Sequence, residues 1–128
     1  MNIDAIRQMF GAGQQPRGLR HTKIAENYHV CGQLSVADVE AAKAEGFTTI
    51  ICNRPDGESF GQPSADDIKT AAHAQGMSFH YLPVGHSGLS PEVMSGFKSA
   101  ISSDSGKILA YCRSGNRSAI LWQMAGGR

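Results

Sequence analysis

The 128-residue chain has the length of one ordinary domain, and with 41% hydrophobic and 18% charged residues it can bury a core and need not be disordered. Twelve Lys and Arg against eleven Asp and Glu leave a formal net charge of +1, which gives no reason to expect a nucleic-acid or membrane-surface partner. Three cysteines cannot make a paired disulfide framework, so they point to a reduced, cytoplasmic setting with at least one functional thiol.

Residues 1–20 read as an extension without an identifiable role. Asp4 and the lack of a continuous apolar run argue against a secretory signal, and residues 11–18 (GAGQQPRG) form a flexible joint. The domain is then residues 21–128. Residues 24–33 read as a strand, or a hairpin, at a sheet edge. Ser35 precedes a helix: Asp38 stands in its first turn, Val36, Val39 and Ala42 share a face, and Gly46 stops it. Ser64 opens a second with Asp67, Ile68, Ala71 and Ala72 before Gly76. A third starts Ser90-Pro91-Glu92, carries Val93, Met94, Phe97 and Ile101 on one face, and ends at Gly106. Between them, residues 48–52, 79–84 and 108–112 have strand length and β-branched or aromatic composition. Residues 118–125 read as a last helix with Ile120, Leu121 and Met124 inward. The alternation predicts an α/β fold: a mostly parallel sheet of about four strands with helices on both faces. Ligands of such sheets bind beyond the carboxyl ends of the strands, here just after residues 52, 84 and 112.

After the last strand the chain reads Cys112-Arg113-Ser114-Gly115-Asn116-Arg117-Ser118 and enters a helix. A cysteine there lies under a fan of N–H groups from residues 113–118 at a positive helix terminus, which favours an anion at or above the sulfur. The same field lowers the thiol pKa and makes a nucleophile of it. Arg117 offers a planar fork to an oxyanion and Arg113 attracts an anionic donor. Cys112 and Arg117 are therefore the candidate catalytic pair, with Arg113, Ser114, Gly115, Asn116 and Ser118 as candidate oxyanion-binding residues.

Protein tyrosine and dual-specificity phosphatases place five residues between cysteine and arginine; here four intervene. CRSGNRS is similar instead to the active-site loop of rhodanese-type sulfurtransferases, whose cysteine carries a persulfide. Together with Cys31-Gly32-Gln33, residues 52–58 (CNRPDGE), residues 61–64 (GQPS) and residues 109–115 (LAYCRSG), it resembles the beta-lactamase-hydrolase-like, or phosphatase-like sulfurtransferase, family over about residues 22–125. The resemblance implies a dual-specificity-phosphatase-like fold bearing a rhodanese-like loop, and a persulfide dioxygenase as possible partner. The metallo-hydrolase half found beside such domains has an HxHxDH run that this chain lacks. Its histidines 21, 29, 73, 80 and 86 have no metal-ligand spacing, so neither metal nor cofactor is expected.

A phosphatase that expels a basic alkoxide needs a positioned acid, worth on the order of 10²- to 10⁴-fold. Residues 83–88 (PVGHSG), where that family carries its aspartate, contain no carboxylate. His86 is one substitute, against an ordinary loop histidine. Asp56, beside Glu58, is another, against plain Pro-Asp-Gly turn chemistry. Arg54 either pairs with those carboxylates or holds an anionic donor. Cys31 and Cys52 read as packed strand-end residues, with resolution of a Cys112 persulfide as the rival role. Sulfite leaves without protonation, so the leading expectation is a sulfurtransferase with a small-molecule sulfur donor and a thiol acceptor. A nonstandard cysteine phosphatase and a non-catalytic sulfur carrier are the alternatives.

Overall fold

The order of elements in the computed structural model, which describes residues 18–103 and 106–127, follows the predicted alternation. A hairpin of β1 (Thr22–Ala25) and β2 (Tyr28–Cys31) comes first. Then follow α1 (Val36–Ala44), β3 (Phe47–Cys52), α2 (Ala65–Ala74), β4 (Ser78–Tyr81), α3 (Pro91–Ser103), β5 (Lys107–Tyr111) and α4 (Asn116–Met124). The extension up to residue 17, and residues 104 and 105 beside the expected stop at Gly106, lie outside the described residues.

The strands form one sheet in the order β1-β2-β5-β3-β4, with β1 antiparallel to β2 and the other neighbours parallel. It has five strands, where about four were expected, because the first segment is the hairpin of Thr22–Ala25 and Tyr28–Cys31 rather than a single strand. The hairpin lies at the sheet edge as expected: the mostly exposed β1 is the edge strand, while β2 is buried throughout and pairs with β5. Side chains alternate between two cores. Ile50 and Leu109 pack with Val39 and Ala42 of α1 and Ile68 and Ala72 of α2. Ile51, Ile108 and Ala110 pack with Phe97 of α3 and Leu121 of α4. Helices thus cover both faces, and β5, at the centre, carries the candidate nucleophile at its carboxyl end.

Both serine starts are capping boxes. Ser35 and Ser64 accept from the N–H groups of Asp38 and Asp67, whose carboxylates accept in return from the serine N–H groups. Val36, in the first turn, is 54% exposed and takes no part in the face made by Val39 and Ala42.

The last helix is rotated from its predicted face. Ser118 and Leu121 are buried, with Trp122 and Ala125 packed against the same core, whereas Ile120 and Met124 are 54% and 58% exposed. Polar contacts set that rotation. The Ser118 hydroxyl donates to Asn53 Oδ1 at 2.8 Å, and the Tyr28 hydroxyl donates to the Ser118 carbonyl at 2.8 Å. Tyr28 also stacks on Trp122 with ring centroids 4.4 Å apart. With Ser118 inward, the neighbours of Leu121 at about 100° per residue fall away from the sheet. Among the described residues, no helix is long and apolar enough to cross a membrane.

At the amino ends of the strands, Leu19 N–H and His21 Nε2 bond the two oxygens of Glu45, and His21 Nδ1 meets His29 Nδ1 at 3.0 Å. Burial, then the neighbouring His21 and Lys107, holds His29 below its ordinary value, and the bond from His21 holds Glu45 below its own. Both shifts are downward, so both groups stabilise the fold at neutral pH. The His29 contribution fades as pH falls below about 6.5, its unfolded value, and the Glu45 contribution fades below about 4.3. Urea midpoints measured from pH 7.5 to 3 are expected to decline in two stages; His29→Phe removes the first, and an unchanged profile in that variant contradicts the assignment.

Candidate active site

The residues expected to hold an anion converge beyond β5. Cys112 N–H bonds the Cys31 carbonyl at 3.3 Å, after which the chain turns through Gly115 into α4. Gly115 is the N-cap of α4 with φ +99°, a conformation that disfavours side chains. Opposite it, Gly32 admits the Arg113 carbonyl at 3.0 Å from where a Cβ would stand. The loop is thereby pressed against the end of β2, and Gly115 N–H points at Cys112 Sγ from 3.0 Å.

Burial opposes ionisation of Cys112, but the N–H groups of Ser118, Ser114, Gly115 and Arg117 outweigh it and hold the thiol below its ordinary value. The other two cysteines shift the opposite way: burial pushes Cys31 up to about 12 and Cys52 up to about 11. All three thiols are free, and only Cys112 has the electrostatic setting of a nucleophile.

Arg117 is held by Glu58, which the sequence placed beside Asp56 and offered as a partner for Arg54 but not for Arg117. Its Nη1 and Nη2 donate to Glu58 Oε2 and Oε1 at 2.7 and 2.8 Å, and Nη1 also donates to the Val84 carbonyl at 2.8 Å. Of five guanidinium N–H groups, those on the Nε–Nη2 edge stay available for a second fork. The guanidinium also lies within hydrogen-bonding reach of Cys112. Glu58 is shared with Arg54, whose Nε donates to Oε1 at 3.0 Å while its other nitrogens reach Gln33 and Ser59. The bonds from Arg117, then Arg54, overcome burial and hold the Glu58 carboxyl down to about 2. Arg54 is therefore a buried brace behind Glu58. Asn53 braces the loop from the same segment: it accepts from Ser118 Oγ, and its Nδ2 donates to the Leu82 carbonyl.

A cleft of about 300 Å³ opens in front of Arg117, lined by Glu58, Gly85, His86, Arg113 and Arg117. Cys112 itself is 1% exposed and sits beneath the loop. Asp56 is elsewhere: its Oδ1 accepts from Ala65 N–H at 2.7 Å at the start of α2, its N–H donates to the Tyr81 hydroxyl, and it lines a separate cleft with Lys69 and Phe79. Ser118 contributes its N–H toward the sulfur, while its hydroxyl is turned to Asn53. Asn116 N–H is set toward Ser114 Oγ at 3.4 Å, within the loop. Between Asp67 and Asp104 the only acidic residue is Glu92, in the first turn of α3, so no carboxylate stands on the loop carrying His86. Among the described residues, no three His, Cys, Asp or Glu side chains cluster as a metal site.

Three comparisons bear on this arrangement. Residues 20–127 match the family model described as beta-lactamase hydrolase-like protein, phosphatase-like domain. A beta-lactamase hydrolase-like protein of Agrobacterium fabrum is 33% identical over 104 residues, which is 81% of this chain and 24% of that protein. The chain thus spans about a quarter of the length of the curated relatives it matches. Among solved structures, a protein of Neisseria meningitidis described as a candidate phosphatase is 34% identical with a TM-score of 0.71, covering 84% of this chain and 75% of that one. The core catalytic domain of the PP-IP phosphatase of S. cerevisiae, 10% identical with a TM-score of 0.58, covers 83% of this chain and 62% of that one, and shares the fold.

Two measurements check the geometry. Under limiting iodoacetamide at pH 7, peptide mapping is expected to find label on Cys112 first, and on Cys31 and Cys52 only after unfolding; equal labelling contradicts the assigned field. Glu58→Gln leaves two guanidiniums without their carboxylate, and is expected to cost about 3 kcal/mol in urea denaturation at pH 7. Because the Glu58 carboxyl is held down, its contribution is complete above about pH 4.3 and is lost as pH falls toward its folded value. The wild-type acid slope in that window is expected to be reduced in Glu58→Gln to the part that Glu45 contributes.

Proposed function

The chain belongs to the family of beta-lactamase hydrolase-like, phosphatase-like domains, and on that premise we propose that it is a cysteine-dependent phosphohydrolase working through a phosphocysteine at Cys112. The observation that carries this reading is the Cys112 thiol held below its ordinary value by the loop N–H groups, with the Arg117 guanidinium beside it and fixed by Glu58. The Cys112 thiolate attacks phosphorus, the bond to the leaving oxygen breaks, and that oxygen departs with the electron pair. The free edge of Arg117 and the loop N–H groups stabilise the charge on the transferring oxygens. Water then attacks the phosphocysteine, releasing dihydrogen phosphate and restoring the thiolate. With no carboxylate on the loop opposite, the first step favours a weakly basic leaving group; His86, on the cleft wall, is the titratable side chain nearest that role.

Sulfur transfer, the first expectation from the sequence, is the second reading. It is favoured by the four-residue interval between Cys112 and Arg117 and by the N–H groups converging on the sulfur itself. In that reaction the thiolate takes the outer sulfur of thiosulfate, sulfite leaves, and the persulfide passes its sulfur to a thiol. Sulfite too is weakly basic.

Parallel assays separate the readings. Incubation with 4-nitrophenyl phosphate is expected to release phosphate, with a loss of at least 10³-fold in Cys112→Ala. Activity should persist below the ordinary thiol range of pH. Cysteine-dependent thiocyanate from thiosulfate and cyanide, without phosphate release, would replace hydrolysis with sulfur transfer. A stable gain of one sulfur on Cys112 without turnover would support a carrier serving a persulfide-oxidising partner.

A further inference from the structure

The cleft in front of Arg117 is larger and more cationic than one transferred phosphoryl group requires. About 300 Å³ corresponds to roughly ten waters. Three guanidiniums surround it or stand behind it, and one carboxylate serves two of them: Glu58 pairs with Arg54 and Arg117. Arg113 has no carboxylate partner among the described residues, although it lines the same cleft. Its backbone is fixed, because its carbonyl is seated on Gly32 and it directly follows Cys112. An exposed arginine is commonly just solvated. This one lines the same cleft as Arg117, where a bound anion relieves like-charge repulsion.

The direction of attack says which part of the substrate Arg113 meets. Phosphoryl transfer is in line, so the leaving group points away from the Cys112 sulfur, which lies beneath the loop, and toward the cleft that Arg113 and His86 line. The absence of a carboxylate on the His86 loop independently asks for a leaving group that needs no proton. One substrate class meets both conditions: a group that is weakly basic and itself anionic. Resting on the phosphohydrolase reading, we propose that Arg113 is a specificity-determining residue that holds a second phosphoryl group, and that the substrates are phosphoanhydrides. In the first step the thiolate and the trianion of pyrophosphate give a phosphocysteine dianion and hydrogen phosphate dianion, the bridging oxygen leaving with the P–O electron pair toward Arg113. Water then releases dihydrogen phosphate and returns the thiolate.

Binding tests this separately from turnover. Inorganic pyrophosphate and orthophosphate are titrated calorimetrically into Cys112→Ser protein, which binds without reacting through sulfur. Pyrophosphate is expected to bind at least tenfold more tightly. Adding Arg113→Gln should remove that preference by weakening pyrophosphate at least tenfold more than orthophosphate, and Arg113→Lys should retain part of it. Equal affinity for the two anions, or an equal loss of both on Arg113→Gln, overturns the proposal. Cysteine-dependent hydrolysis of 4-nitrophenyl phosphate by otherwise unaltered protein reads the function itself. If that fails while the pyrophosphate preference holds, the phosphohydrolase reading falls and Arg113 stands as a diphosphate-binding residue. If it succeeds while pyrophosphate is not hydrolysed, the substrate class is overturned and the reaction type survives.

Discussion

Glu58 occupies the position on which the site's electrostatics depend. Its carboxylate lies between two guanidiniums and is itself only slightly exposed, with 15% of the side chain accessible. Removing charges from water is costly unless each finds a partner, and here one anion serves both cations. The arrangement also has a direction. Glu58 grips the far end of Arg117 and leaves the near edge open, so the arginine is oriented before any substrate arrives. Arg54 makes this possible from behind, tying Glu58 to Gln33 and Ser59 in the segments that follow β2 and β3.

Cys112 depends on a different resource. The polypeptide itself supplies the donors that lower the sulfur, where a central strand gives way to a helix, and the Arg117 guanidinium adds to them. The cost is steric, and two glycines meet it: one with a left-handed backbone, the other offering an empty face to a carbonyl. Backbone donors hold charge without titrating, so the thiolate setting is indifferent to pH in a way a histidine partner would not be. That suits a reaction whose leaving group departs unprotonated, and it is shared by both chemistries considered for the loop.

Features encoded over a few residues were legible in the sequence. Ser35 with Asp38 and Ser64 with Asp67 announced helix starts through contacts three residues apart, and the 112–118 loop announced its donors because strand, turn and helix are contiguous. What depends on distant partners was not. The Glu58–Arg117 bond joins residues 59 apart, and the Ser118–Asn53 bond joins residues 65 apart. A carboxylate beside a Pro-Asp-Gly turn has a sufficient local account, and nothing local says that Asp56 caps a helix while Glu58 reaches the arginine. Hydrophobicity also misdirected the reading of α4: Ile120 and Met124 looked inward, but a buried serine determines which way the helix turns.

The Tyr28 hydroxyl that bonds the Ser118 carbonyl has a consequence in time as well as in space. It joins the second strand to the last helix across 90 residues, and the N–H groups of that helix terminus are among those that lower the Cys112 thiol. Such long-range closure is among the slower events of folding. Until α4 is in place, the Cys112 sulfur lacks the Arg117 and Ser118 N–H groups that lower it. The reactivity of the thiol is therefore tied to long-range closure of the fold, in which α4 docks onto β2.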